Sequence, residues 1–159
     1  MRIVKLIVPV LLILCTIAET GNAQALFPPD KDQLLKGEAA GQNMAAENNG
    51  YPSPQKIVSL KDQIGLTKDQ LKKIKEIVTN LPISAVVKGQ EIIDAEEDLN
   101  KLFESGAINE RTLRIKLERI GKMRAELRFV HLQIYLKEKQ ILTAKQWERL
   151  KELKASEVK

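Results

Sequence analysis

The feature that most constrains this chain is a helix start written twice. Leu66-Thr67-Lys68-Asp69-Gln70-Leu71 and Leu142-Thr143-Ala144-Lys145-Gln146-Trp147 share one grammar. In each, Thr stands where a helix begins and its hydroxyl accepts from the backbone N–H three residues on. The Gln at that position reaches back to the Thr backbone N–H, which completes a capping box. Leu66 and Leu142, each preceding a Thr, pair with Leu71 and Trp147 as hydrophobic staples that set the angle at which the chain enters each helix. The residues between the two starts must therefore be read as helical structure.

From Leu71 the apolar positions run Leu71, Ile74, Val78, Leu81, Ala85, Ile92, Ala95, Leu99 and Leu102, with Lys88 the one exception. Steps of three and four predict a single helix from Lys68 to about Glu104 whose seam seeks another helix. Pro82 removes a backbone hydrogen bond, at about 3 kcal/mol in a regular helix. The seam keeps its register on both sides of Pro82, which predicts a kink near Val78 to Pro82 rather than a break, with Gly89 adding local softness. Ser105-Gly106-Ala107-Ile108 is the turn. Asn109 caps a third helix, stapled by Ile108 and Leu113. Its stripe is Leu113, Leu117, Ile120, Met123, Leu127, Val130, Ile134 and Ile141, and so short a turn demands antiparallel pairing. Ser53-Pro54 opens a short first helix carrying Ile57, Leu60 and Ile64 and stopped by Gly65, and Thr143 opens a last one through Leu150 and Leu153. No useful length alternates with period two. The fold class is all-α: a long antiparallel helical hairpin flanked by short N- and C-terminal helices.

Residues 1–25 read as a cleavable signal peptide. Arg2 and Lys5 precede the apolar run Leu6 to Ala18, and Ala23-Gln24-Ala25 is a small-x-small cleavage site, with Gly21-Asn22-Ala23 nearly as good. The run is broken by Pro9 and falls short of the roughly 20 residues of a membrane span, so the reading is export to the periplasm with no anchor after cleavage. Cys15 is the only cysteine and would leave with the signal, so neither a disulfide nor a thiol site follows. Removing Arg2, Lys5 and Glu19 lowers the net charge from +5 by one, a mild excess that does not argue for nucleic acid. Residues 26–52, with Pro28, Pro29, Gly37, Gly41, Gly50 and few large apolar side chains, predict a mostly disordered leader with at most a turn of helix around Asp32 to Lys36. Residues 53–155 form the helical domain and 156–159 a frayed tail.

A hairpin needs one apolar face per helix, so a second face calls for a function. Stepping about 100° per residue, Phe129, Leu132 and Leu136 fall opposite the third helix's stripe, and Ile83, Val86 and Ile93 fall off the seam of the second. Antiparallel pairing sets both clusters at one level of the hairpin. Packing by the short terminal helices, a homodimer interface and a surface for unfolded chains are the competing readings. Lys122, Arg124 and Arg128, with Arg114 and Arg119, make the third helix basic, either as a solvated ion-pair face or as an attractor of acidic polypeptide. His131, the single histidine, falls beside the core stripe by helical angle and reads as a packed or edge residue; it is also the weak metal candidate, with Met123 and Glu126 or Glu138. A specific site usually needs three or four convergent ligands, so no metal or other cofactor is assigned. Neither a nucleophile with its base and orienting acid nor a Gly-rich phosphate loop is present, and no enzyme is read.

The two motifs, the helical pattern between them and the export signal resemble the periplasmic LTxxQ-motif family, which takes in the Spy and CpxP chaperone-type proteins and related heavy-metal resistance proteins. The resemblance spans roughly Ile57 to Leu153. It implies a dimeric cradle and an ATP-independent chaperone that binds unfolded envelope proteins and limits their aggregation. It also carries an alternative, a periplasmic metal-responsive or heavy-metal resistance protein acting on a sensor kinase. A third reading is a helical module that binds one envelope partner. For Leu66, Thr67, Gln70, Leu142, Thr143 and Gln146 the residues themselves give helix capping and nothing further.

Overall fold

A computed structural model of the chain describes residues 28–38 and 41–157; the expected signal peptide lies outside them. Six helices follow in order: α1 (Lys31–Leu35), α2 (Met44–Glu47), α3 (Pro54–Ser59), α4 (Lys68–Glu104), α5 (Glu110–Ile141) and α6 (Ala144–Glu157), with no strand among the described residues. The caps stand where the sequence puts them. Ser53 accepts from the Lys56 backbone N–H with Pro54 at the first helical position, Thr67 and Gln70 form the reciprocal box, and Asn109 accepts from the Thr112 N–H. Gly65 and Gly106 turn the chain at φ +65° and +67°, backbone values that favour glycine. α4 continues unbroken through Pro82.

α4 and α5 pack antiparallel around three successive apolar clusters. At the turn end Ala95, Leu99 and Ile120 meet Ile108 and Leu113. In the middle Ala85, Ile92, Ile93 and Leu127 close on Leu34. At the motif end Ile74 and Leu142 join Ile57, Leu60 and Ile64 from α3 and its turn, and Leu150 from α6. The Lys88 exception in the seam is resolved by charge: its ammonium reaches Glu126 on α5 at 3.1 Å and Glu91 on its own helix at 2.9 Å. Leu117, expected in the α5 stripe, is half exposed. It lies about 80° around from Leu127, beyond the level of Pro28, where the described leader begins.

The leader is the main departure from the sequence reading. Instead of running disordered from 26 to 52, it lies along one face of the hairpin wherever it is described. Leu34 is 1 % exposed among Ala85, Ile92, Ile93 and Leu127. Two glycines admit it. A Cβ on Gly89 would run into the carbonyl of Leu34, and one on Gly37 would come within 2.8 Å of the Val86 nitrogen. Gly89 is thus a point of close backbone approach rather than a soft spot. Arg124 bonds Asp30 at 2.7 Å and Glu96 at 2.9 Å, and Lys31 bonds Glu97 at 2.8 Å, so the leader is also pinned by charge. The Arg124 guanidinium holds the Asp30 carboxyl below its usual range. At the other end of the chain, α6 runs on to Glu157 where fraying from residue 156 was expected.

Two substitutions test this docking. Leu34→Ala is expected to cost about 2–5 kcal/mol in urea unfolding, as for other emptied core sites. Gly89→Ala is expected to expose the leader to limited proteolysis, because the Leu34 carbonyl has nowhere to move. A leader equally protected in both variants would contradict the packing described.

Candidate functional site

The two motifs meet. The Oε1 of Gln70 accepts the Thr67 backbone N–H at 3.0 Å and the Oε1 of Gln146 accepts that of Thr143 at 2.9 Å. Each side-chain amide then turns outward to the other motif. Gln70 Nε2 donates to Gln146 Oε1 at 2.8 Å, and Gln146 Nε2 donates to Gln70 Oε1 at 2.9 Å. The remaining N–H of each donates to the carbonyl two residues before the other motif's Thr: Gln70 to Ile141 at 2.8 Å, Gln146 to Gly65 at 2.9 Å. Both amides thus use their two donors and two acceptor positions, in an arrangement with local two-fold character. The motif residues therefore do more than start helices, because they lock the start of α4 to the start of α6. Tyr51 closes this end from the leader, edge-on to Trp147 at 5.2 Å, with the Lys139 ammonium over both rings at 5.5 and 5.6 Å.

The apolar residues proposed as one functional cluster divide in three. Ile93 is 1 % exposed, because α1 covers it, and it leaves the surface set. Ile83 and Val86 remain exposed, joined by Val87, and sit about 100–200° around α4 from Ala85, which packs toward α5. Phe129 (63 % exposed) and Leu136 are open and Leu132 is partly buried, about 140–200° around α5 from the buried Leu127. The two sets share a level but lie on opposite outer edges of the hairpin. The short helices leave them uncovered, which removes terminal packing as their explanation.

A third surface lies between these edges, on the hairpin face opposite the leader. It is an open groove of about 540 Å³ with Ile77, Leu81, Val130 and Ile134 in its floor and Lys73, Lys137 and Gln133 among its rim groups. By helical angle it continues through Gln133 onto Phe129 and Leu136. Of the basic residues expected to attract partners, Lys122 is exposed beside this surface, while Arg128 is exposed about 100° around α5 from Phe129, toward the leader side. Arg124 is spent on Asp30 and Glu96 on the other face and is not free for a partner.

Under the leader lies a polar stripe of α5 formed by His131, Tyr135 and Glu138. Tyr135 donates to Glu47 at 2.8 Å. His131 is 7 % exposed and its Nε2 is enclosed without a partner. Burial pulls its pKa down, while a hydrogen bond with the Gly37 backbone works the other way. Glu138 is fully buried with both carboxyl oxygens unpartnered, and burial pushes its pKa up to about 8. No group of three or more His, Cys, Asp or Glu suited to a metal occurs among the described residues. Beyond a packed His131, the buried polar stripe was not foreseen from sequence; its signal was the i, i+4, i+7 spacing of three polar residues alongside the core stripe. Comparison with family models, curated proteins and solved structures finds no match to the chain.

Two measurements check the site. In a double-mutant cycle, Gln70→Ala and Gln146→Ala are each expected to cost about 1 kcal/mol or more, since each leaves the other glutamine's part-buried amide without its partner. Together they should cost less than their sum by about 0.5 kcal/mol or more; strict additivity would show the amides to be independent caps. For Glu138 the folded chain holds the proton from pH 4.5 to about 8 while the unfolded chain releases it, so folding stability falls as pH rises through that window. Glu138→Gln is therefore expected to raise Tm at pH 8 and to change it little at pH 4.5. His131 acts in the opposite sense, costing stability as pH falls below 6.5.

Proposed function

We propose that this chain is an exported, ATP-independent chaperone-type protein that holds unfolded or misfolded envelope proteins and limits their aggregation. The supporting observation is the uncovered apolar surface that runs from the open groove over Val130 to Phe129 and Leu136, with Lys122 and Lys137 beside it. Soluble monomers rarely expose such surface without a partner. Its mixture suits transient capture: the basic groups raise encounter rates with acidic segments, and the shallow apolar floor holds them weakly enough for release without nucleotide. The same surface suits a second copy of the chain, so client binding and dimerisation compete for it or share it. The resemblance to the LTxxQ-motif family points the same way. The metal-responsive alternative draws no support from His131, whose Nε2 is enclosed and which has no cluster of further metal-ligating side chains among the described residues.

Phe129→Ser with Leu136→Ser is expected to lower suppression of client light scattering several-fold in nucleotide-free buffer while far-UV helicity is kept. Sedimentation run in parallel separates loss of clients from loss of a dimer. Unchanged suppression and unchanged mass would reject this surface.

A further inference from the structure

The opposite edge of the hairpin has a different chemistry. Taking the direction of Ala85 as zero, Lys68, Lys72, Lys75, Thr79, Ile83, Val86 and Gln90 all fall between about 80° and 160° around α4. All seven are exposed. This arc runs about 33 Å along the helix and holds no carboxylate within it, while the exposed Glu76 and Asp69 lie along its border at about 180° and 200°. Lys68, Lys72 and Lys75 form no ion pair among the described residues, and they line a shallow depression over Leu71. Farther along, Ile83 and Val86 project from the same arc with Val87 at its border, and Leu35 of α1 is exposed nearby.

From this we infer that the outer edge of α4 is a peripheral docking surface for an anionic lipid bilayer. A basic run merging into an apolar run on one helix face is what a charged bilayer surface accommodates: ammonium groups among the phosphates, branched side chains at the acyl boundary. The edge belongs to a single helix with its backbone satisfied internally. It offers a peptide no sheet edge and only the shallow depression over Leu71, whereas a plane of headgroups needs only a line of contact. No described helix is long and apolar enough to cross a membrane, so the contact is superficial, reversible and salt-sensitive. It leaves the groove and the Phe129 edge facing away from the lipid. The inference does not rest on the chaperone reading, because it uses different residues and a different readout.

The test is co-sedimentation of the chain beginning at Leu26, which retains every described residue, with vesicles of phosphatidylglycerol and phosphatidylcholine or of phosphatidylcholine alone. Binding to the anionic vesicles only, released by about 0.5 M salt, is expected. K68E/K72E/K75E should weaken it about tenfold or more, as should the milder K68Q/K72Q/K75Q in smaller degree. I83N/V87N should weaken it several-fold, and F129S/L136S should leave it unchanged. Equal binding to neutral vesicles, binding undiminished in the lysine variants, or no binding to either vesicle would overturn the inference. Capture of soluble polyglutamate through the same lysines without vesicle binding would reassign the edge to acidic polypeptide.

Discussion

Two glutamine side chains hold the hairpin to its flanking helices. Each Gln of the repeated motif closes a helix start with its oxygen and crosses to the other motif with its nitrogen. Neutral amides in reciprocal contact carry no charge to desolvate, and with every donor and acceptor used they avoid the 1–3 kcal/mol penalty of a buried unsatisfied group. The consequence is positional. The N-termini of α4 and α6 and the C-terminus of α5 are fixed together, so α3 and α6 close the apolar cluster around Ile57, Ile74 and Leu150. With that end tied and the other joined by a tight turn, two helices of 37 and 32 residues stay in register along their length.

On the long face of this frame the leader is seated by shape and charge together. Leu34 supplies the apolar contact, Gly37 and Gly89 supply the closeness, and Arg124 links leader, α4 and α5. One face of the hairpin is thereby closed and the other left open. The asymmetry separates the surfaces proposed for function: the groove and α5 edge for polypeptide, the α4 edge for lipid.

Local chemistry made much of this legible in the sequence. Capping boxes, staples and the three-four apolar rhythm write the bounds of α4 and α5 almost to the residue, because each signal acts within a turn or two of its own position. Relations across the chain were not legible. The second N–H of Gln70 has a partner only after the hairpin closes, so a cap was foreseen and a tie was not. The leader looked too poor in apolar side chains to order itself. A composition of glycine and proline does not reveal that two of the glycines abut α4 or that one leucine fills a socket. Ile93 was correctly placed off the α5 seam, yet it is buried by an element not expected there. Ile83 and Phe129 were correctly placed off their seams, but helical angles on separate helices did not tell that the two point apart.

Native-state hydrogen exchange at the backbone amides of Thr67 and Thr143 bears most directly on the amide tie. Both N–H groups donate to the paired glutamines, so both should open with the same free energy, close to that of global unfolding. Fast exchange at one with slow exchange at the other would mean that the two motifs open independently, and that the tie between them does not hold the fold.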